Sequence, residues 1–322
     1  GALADAAFFA SANVLRRPQS RQRLMAAEGA EAEEPLVEAA PLTDAELEAR
    51  QALYDQVFAD CPGKEVKEKS RAERKDNELD SRSLTYAEVD LALMHQIFAA
   101  VKAGLGPLHV GRGVFLDLGS GVGKACVSAA LLHSFQRVVG IEMLQCLHDL
   151  AGASAAKFQE MELPPGVSKP EVHFVKGDFV AEFDAHLQEL APQVTMCFAV
   201  ATHYGEPELQ AMASVARLMP EGGLLISFSH GLPDDLVVDL EKKPKQRRAA
   251  AVKKALAKRG VAPTAIDEIV VEPPVNDPQG FLPVFRETLQ VPWGAPATVF
   301  IYKKAPQPHA EEPPAEEANE TE

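Results

Sequence analysis

What this 322-residue chain lacks excludes several protein classes. It has four cysteines, Cys61, Cys126, Cys146 and Cys197, and none stands in a C-x-x-C pair. Three of them fall in apolar element patterns, so we expect buried reduced thiols rather than disulfides or a metal centre. No apolar run approaches the ~18–20 residues that span a bilayer, so no membrane association is expected. No internal repeat is visible. An excess of positive charge is missing as well. The formal net charge is −15, which excludes a general nucleic-acid-binding surface.

Two nucleotide signatures are also absent. The glycines in Phe115–Lys124, FLDLGSGVGK, are spaced G-x-G-x-G rather than the G-x-G-x-x-G of dinucleotide enzymes. Ala125 follows Lys124, so no Gly-Lys-Ser/Thr closes a phosphate loop. What the stretch does contain is an apolar run ending in Asp117, then Gly119, Ser120, Gly121 and Gly123, then a helical pattern. This reads as a strand, a tight glycine turn and a helix start, which bring backbone close to a nucleotide-like ligand. An acid at the strand end suits a cationic ligand better than a pyrophosphate. S-adenosyl-L-methionine, with a sulfonium, an amino group and no phosphate, is the cofactor this pattern points to. A glycine turn with no ligand is the plainer alternative.

The surrounding pattern supports an α/β reading. Strands are predicted at Val114–Leu118, Arg137–Glu142, Glu171–Lys176, Val194–Val200 and Gly223–Ser229. Helices are predicted between them at Lys124–His133, Leu144–Glu160, Asp184–Leu190 and Glu208–Leu218. This alternation implies a doubly wound, Rossmann-like, mostly parallel sheet with the ligand at the strand carboxyl ends. Two last runs, Val284–Val291 and Ala297–Lys303, read as an antiparallel hairpin on the sheet edge.

Upstream lies a helical extension or linker, residues 42–80. Thr43 and Glu46 form a capping box for its first helix, and the charged segment Lys64–Asp80 follows. Thr85 and Glu88 read as a second capping box before Val89–Val101, with Gly104 as the stop. The α/β domain is expected over residues 81–304, with a basic insertion at 241–260. Residues 1–41 are expected to be disordered or a targeting segment, since only arginines carry charge between Asp5 and Glu28. The acidic tail 305–322 is expected to be disordered.

Three acids fall at three successive strand ends. Glu142, about 25 residues after Asp117, is placed to accept from ribose hydroxyls. It can equally be a helix N-terminal acid favoured by the macrodipole. Asp178 in Gly177-Asp178-Phe179 can accept from an adenine amino group, with the Phe179 ring against the base. Asp117 is left for the methionyl amine.

At this point the chain resembles the disruptor-of-telomeric-silencing (DOT-type, non-SET) histone-lysine N-methyltransferases. The matching segments are TYAEV (85–89), FLDLGSGVGK (115–124), VVGIE (138–142), KGDF (176–179), PEGGLLISF (220–228) and PWGAPATVFIY (292–302). The resemblance implies a class-I S-adenosylmethionine-dependent methyltransferase sheet, a protein substrate such as histone H3 in nucleosomes, and a nuclear location. An organelle or the cytoplasm is the alternative if residues 1–27 are a targeting remnant. It also implies that Tyr86 and Glu88 belong to a Y-x-E loop closing over the cofactor, with Ala87 where the family usually has Gly. In place of an Asn usual after the fourth strand stands Val200. Thr202, His203 and Tyr204 could substitute, with Tyr204 the best candidate for the channel wall. Two further readings stay open: the same fold with a non-histone acceptor, and a cofactor-binding pseudoenzyme or partner-binding module. Lys242–Arg259 holds about nine basic residues, a candidate for DNA phosphate contact or a solvated helix face.

Overall fold

A computed structural model describes residues 42–79, 84–105, 113–164, 169–182, 186–234, 236–237, 280–294 and 296–305. The readings of residues 1–41, of the basic segment 241–260 and of the tail beyond residue 305 lie outside these.

The centre is a seven-stranded sheet of β1 (Val114–Leu118), β2 (Arg137–Glu142), β3 (Glu171–Lys176), β4 (Val194–Ala199), β5 (Leu224–Phe228), β6 (Phe281–Leu289) and β7 (Ala297–Lys304). Their order is β3-β2-β1-β4-β5-β7-β6. The first five are parallel, and β7 runs antiparallel to both β5 and β6. The hairpin therefore does join the sheet edge, and its second strand inserts beside β5. β6 begins three residues before the predicted Val284. Phe281 is fully buried and its amide donates to the Leu236 carbonyl. The ladder shifts register just past Pro283, which has no N–H to give it.

Helices cover both faces. On one lie α1 (Asp44–Val57), α2 (Gly63–Asp76), α3 (Leu91–Leu105), α4 (Lys124–Leu132) and α5 (Gln145–Glu160). On the other lies α6 (Glu206–Leu218), beside a short turn at Gln188–Gln193. Of the predicted helix Asp184–Leu190, residues 186–190 are helical, and residues 184–185 lie outside the described ones. Tyr54, Val57, Phe58 and Val66 belong to the same apolar cluster as Phe115, Phe198 and Phe228. The N-terminal helices thus share the sheet's core instead of forming a separate body. An aromatic line crosses that face, with ring centroids 6.0 Å apart for Phe115–Phe198, 5.7 Å for Phe198–Phe228 and 5.6 Å for Phe228–Trp293.

The helix starts explain how the extension docks. Thr43 and Glu46 make the expected capping box on α1, with Thr43 N donating to Glu46 Oε2 at 2.8 Å. The second predicted box does not form. Asp90 Oδ1 caps α3 instead, accepting from Leu93 N at 2.9 Å. Glu88 is drawn away because a cation, Lys124 Nζ, lies 2.7 Å from its Oε2. The charged segment is a helix with a specific role. Glu73 of α2 accepts the first amides of α5, Gln145 N at 2.6 Å and Cys146 N at 2.7 Å. A carboxylate from another element thereby satisfies donors that α5 cannot satisfy itself.

Candidate functional site

The carboxyl ends of β1, β2 and β3, the Tyr86–Ala87 loop and the segment after β4 enclose a cleft of about 220 Å³. Its walls carry the carboxylates of Glu142, Asp178 and Glu208 and no Lys, Arg or His. Such a lining repels phosphates and accepts hydrogen-bond donors and cations. Leu79, Leu84, Met143, Leu144, Leu147 and Phe179 supply apolar walls suited to a flat ring.

Asp117 sits below the main cleft, in a side recess that it shares with Ser120, Glu88, Lys124 and Val200. The residue is 2% exposed. Its Oδ2 meets Cys126 Sγ at 3.7 Å, and its Oδ1 has no partner. Burial pushes its carboxyl up to about 8, against the thiol contact, and the Glu142 charge adds to the rise. Ser120 Oγ, also buried, lacks a partner too. Glu88 Oε1 lacks one as well, and three unpaired oxygens in one recess cost on the order of 1–3 kcal/mol each unless a donor arrives. Burial raises Cys126 as well, so it stays a thiol.

Glu142 lines the cleft and takes up the helix-start role. Its Oε2 accepts from Gly121 N at 2.8 Å and its Oε1 from Leu144 N at 2.7 Å. It therefore fixes the glycine turn and the start of α5, while each oxygen keeps a further lone pair. Burial raises its pKa, and the backbone amides oppose that rise. Asp178 Oδ1 accepts from Val180 N at 2.9 Å, which holds its side chain at the cleft wall.

Two of the glycines have different functions. Gly121 takes φ +57, and a Cβ there would lie 2.7 Å from the Tyr86 ring, so the turn and the loop fit closely only with glycine. Gly123, at φ +85, caps α4, and its Cβ would lie 2.3 Å from Phe174. Gly123 thus stands at the helix start, against Phe174 of β3. Lys124 lines the side recess, bonds Glu88 and lies 5.7 Å from the Phe58 ring centroid. This pair and Gly63, whose Cβ would fall 2.9 Å from Glu88 Oε1, lock the loop to the N-terminal helices. Burial, reinforced by the Glu88 charge, keeps the Tyr86 phenol protonated.

On the other side of the cleft the structure brings fewer polar groups together. Val200 lines both the cleft and the recess. Thr202 Oγ1 lies 3.1 Å from Ser229 Oγ and does not line either space. His203 is exposed. Tyr204 lines the cleft, packs 5.4 Å from Phe179, and donates its hydroxyl to the Leu118 carbonyl at 2.5 Å. Burial, then Asp117 and Glu142, raise its phenol pKa, so the proton stays, and the oxygen retains acceptor capacity. Sequence reasoning missed Glu208, whose Oε2 caps α6 by accepting from Gly205 N at 3.0 Å. Its spacing from Gly205 was the available signal. Among the described residues no His, Cys, Asp and Glu group could hold a metal, and no helix is long and apolar enough to cross a membrane.

The sheet order and the glycine turn at the end of β1 define the class-I S-adenosylmethionine-dependent methyltransferase fold. Residues 73–257 match the family model described as histone methylation protein DOT1, and the chain belongs to that family. The match runs through most of the basic segment, which the resemblance by motif had left aside. Over 69 residues the chain is 41% identical to the H3 lysine-79-specific histone-lysine N-methyltransferase of Emericella nidulans. That stretch is 21% of this chain and 14% of the relative's length. Solved structures are similar at a lower level. Aeropyrum pernix fibrillarin with natively bound S-adenosyl-L-methionine is 14% identical, with 64% of this chain and 74% of that chain covered and a TM-score of 0.37. An arsenic(III) methyltransferase of Chlamydomonas reinhardtii is 16% identical, with 85% and 77% covered and a TM-score of 0.40.

Proposed function

We propose that this chain is an S-adenosylmethionine-dependent protein-lysine N-methyltransferase acting on a core lysine of histone H3. The observation that carries the reading is the acidic, cation-free cleft together with the unpartnered Asp117 oxygen in the side recess. Bound there, the cofactor would supply a methyl group on a cationic sulfur. Asp117 and Ser120 accept from its amino group, Glu142 from its ribose, and Asp178 from its adenine, against Phe179. Tyr86 closes the cleft and excludes water from the transfer path. The acceptor lysine, ordinarily protonated with a pKa near 10.4, must arrive as the neutral amine. Tyr204 Oη, whose proton is committed to Leu118, accepts an N–H of that amine and aims its lone pair. In-line displacement needs no covalent step by the enzyme, only approach geometry.

Nucleosomal H3 as acceptor, a nuclear location and DNA phosphate contact through Lys242–Arg259 extend the same reading. They are supported by family membership and by the similarity to the H3 lysine-79 enzyme. Transfer of tritiated methyl to nucleosomes, free histones and a lysate tests it. Label on H3 lysine is expected, and label confined to other proteins would replace the acceptor.

A second reading has one specific observation behind it. Val200 offers no hydrogen bond, and Thr202 is engaged with Ser229. A cofactor-binding module without transfer would need no more on that side.

A further inference from the structure

Across the Tyr86–Ala87 loop from the cofactor cleft lies a second hollow of about 230 Å³. Lys67, Ser70, Arg71 and Arg74 of α2 line it from one side, and His203 and Trp293 from the other. Positions 67, 71 and 74 are spaced i, i+4, i+7, which stacks three cations along one helix face. No carboxylate lines this hollow, and none of the three forms an ion pair among the described residues. Arg74 Nε reaches only the Ser70 carbonyl, at 3.4 Å. At the floor, Ser70 is fully buried and its Oγ has no hydrogen-bond partner. In a chain of net charge −15, three unanswered cations around an unpaired buried hydroxyl form a concentrated anion site. The neighbouring cofactor cleft is its opposite, with three acids and no base.

We propose that this hollow binds a carboxylate of the acceptor protein, an Asp or Glu side chain close in sequence to the lysine that is methylated. The proposal rests on the lysine-methyltransferase reading. Its physical basis is threefold. A guanidinium fork binds a carboxylate in a bidentate fashion, and a hydroxyl at the floor adds a donor. The concave shape admits a carboxylate on a thin side-chain stem better than a duplex phosphate tethered on both sides. Three cations beside the cleft mouth also repel a lone lysine ammonium, so an acceptor that brings its own negative charge is favoured. The same cations favour the neutral amine that transfer requires.

The test uses the full chain saturated with S-adenosylhomocysteine and direct peptide binding by fluorescence anisotropy. One lysine peptide carries Asp on both sides of the lysine, and its control carries Asn. We expect the Asp peptide to bind about tenfold more tightly. In Lys67→Glu/Arg71→Glu the preference should vanish, and an Arg-flanked peptide should gain. Lys67→Gln/Arg71→Gln should lose the preference without the gain. S-adenosylhomocysteine affinity should be unchanged in both variants, which shows that they remain folded. Equal binding of Asp and Asn peptides by wild type, including no binding of either, would overturn the proposal. So would a preference that survives charge reversal, or reversal that abolishes duplex DNA binding and leaves the peptides unaffected. Methyl transfer to the same peptides is scored separately. Discrimination without transfer keeps the docking site and removes the enzyme reading, while transfer without discrimination does the reverse.

Discussion

At the ends of β1, β2 and β3, Asp117, Glu142 and Asp178 hold acceptor capacity in reserve, and Asp117 Oδ1 and Ser120 Oγ have no partner at all. After β4 and β5 the polar groups are already engaged, Thr202 with Ser229 and Tyr204 with the Leu118 carbonyl of β1, and Val200 offers none. One side is built at a cost that only a ligand recovers. The other is nearly satisfied without one. Ser229 nevertheless stands at φ +65, an uncommon value for a non-glycine residue, which places some backbone strain on the acceptor side too. The difference matches a reaction in which the cofactor must be gripped and the acceptor need only be aimed.

The largest effect that would break this comparison is expected at Asp117. Asp117→Asn should weaken S-adenosylhomocysteine binding by about 2–3 kcal/mol, because it removes a charged acceptor for the amino group. Its pH behaviour is equally diagnostic. The carboxyl titrates at about 8 in the free protein against an ordinary 3.8. The folded state therefore holds a proton that the unfolded state releases between those values. Stability of the free protein from this group is full below about pH 4 and falls as pH rises toward 8. Ligand binding should strengthen as pH rises toward 8, with proton release visible as a buffer-dependent calorimetric heat. Asp117→Asn should flatten both trends, leaving the residual contribution of Glu142.

Glu142→Gln comes next. An amide cannot accept from both Gly121 N and Leu144 N without presenting a donor to one of them. We expect losses of about 1–3 kcal/mol in ligand affinity and a fall in melting temperature as well. Lost affinity at constant stability would assign it to the ligand alone. Asp178→Ala should reduce affinity by about 1–3 kcal/mol with little change in stability, since its side chain fixes only a local turn.

The acceptor side should respond in turnover and not in cofactor affinity. Tyr204→Phe is expected to lower turnover roughly tenfold, which corresponds to about 1.4 kcal/mol. Val200→Asn should have the smallest effect, a few-fold gain if a second positioning group helps. If Val200→Asn raised activity more than Tyr204→Phe lowered it, Tyr204 would not be the positioning residue.

Much of this was legible in the sequence, and the particulars show why. β1 lies between Gly113 and Gly119, and β2 and β3 begin and end on the charged residues Arg137, Glu142, Glu171 and Lys176, since buried parallel strands have sharp compositional borders. The glycine turn and its three acids were readable because each falls at such a border. What the sequence hid was pairing over distance. Nothing local shows that Glu88 leaves its cap for Lys124, 36 residues away, or that Glu73 caps a helix 72 residues on. Thr202 looked available because Ser229, its partner, comes from another strand end. That Gly123 also makes room for a ring was hidden because that ring, Phe174, lies on β3.

The most direct test is an equilibrium titration of the full chain at pH 8 with S-adenosylhomocysteine, NAD and ATP, for wild type and Asp117→Asn. The account predicts that wild type binds only the first and that Asp117→Asn binds it about 30- to 150-fold more weakly. Binding of NAD or ATP by wild type in its place, or undiminished S-adenosylhomocysteine affinity in Asp117→Asn, would contradict it.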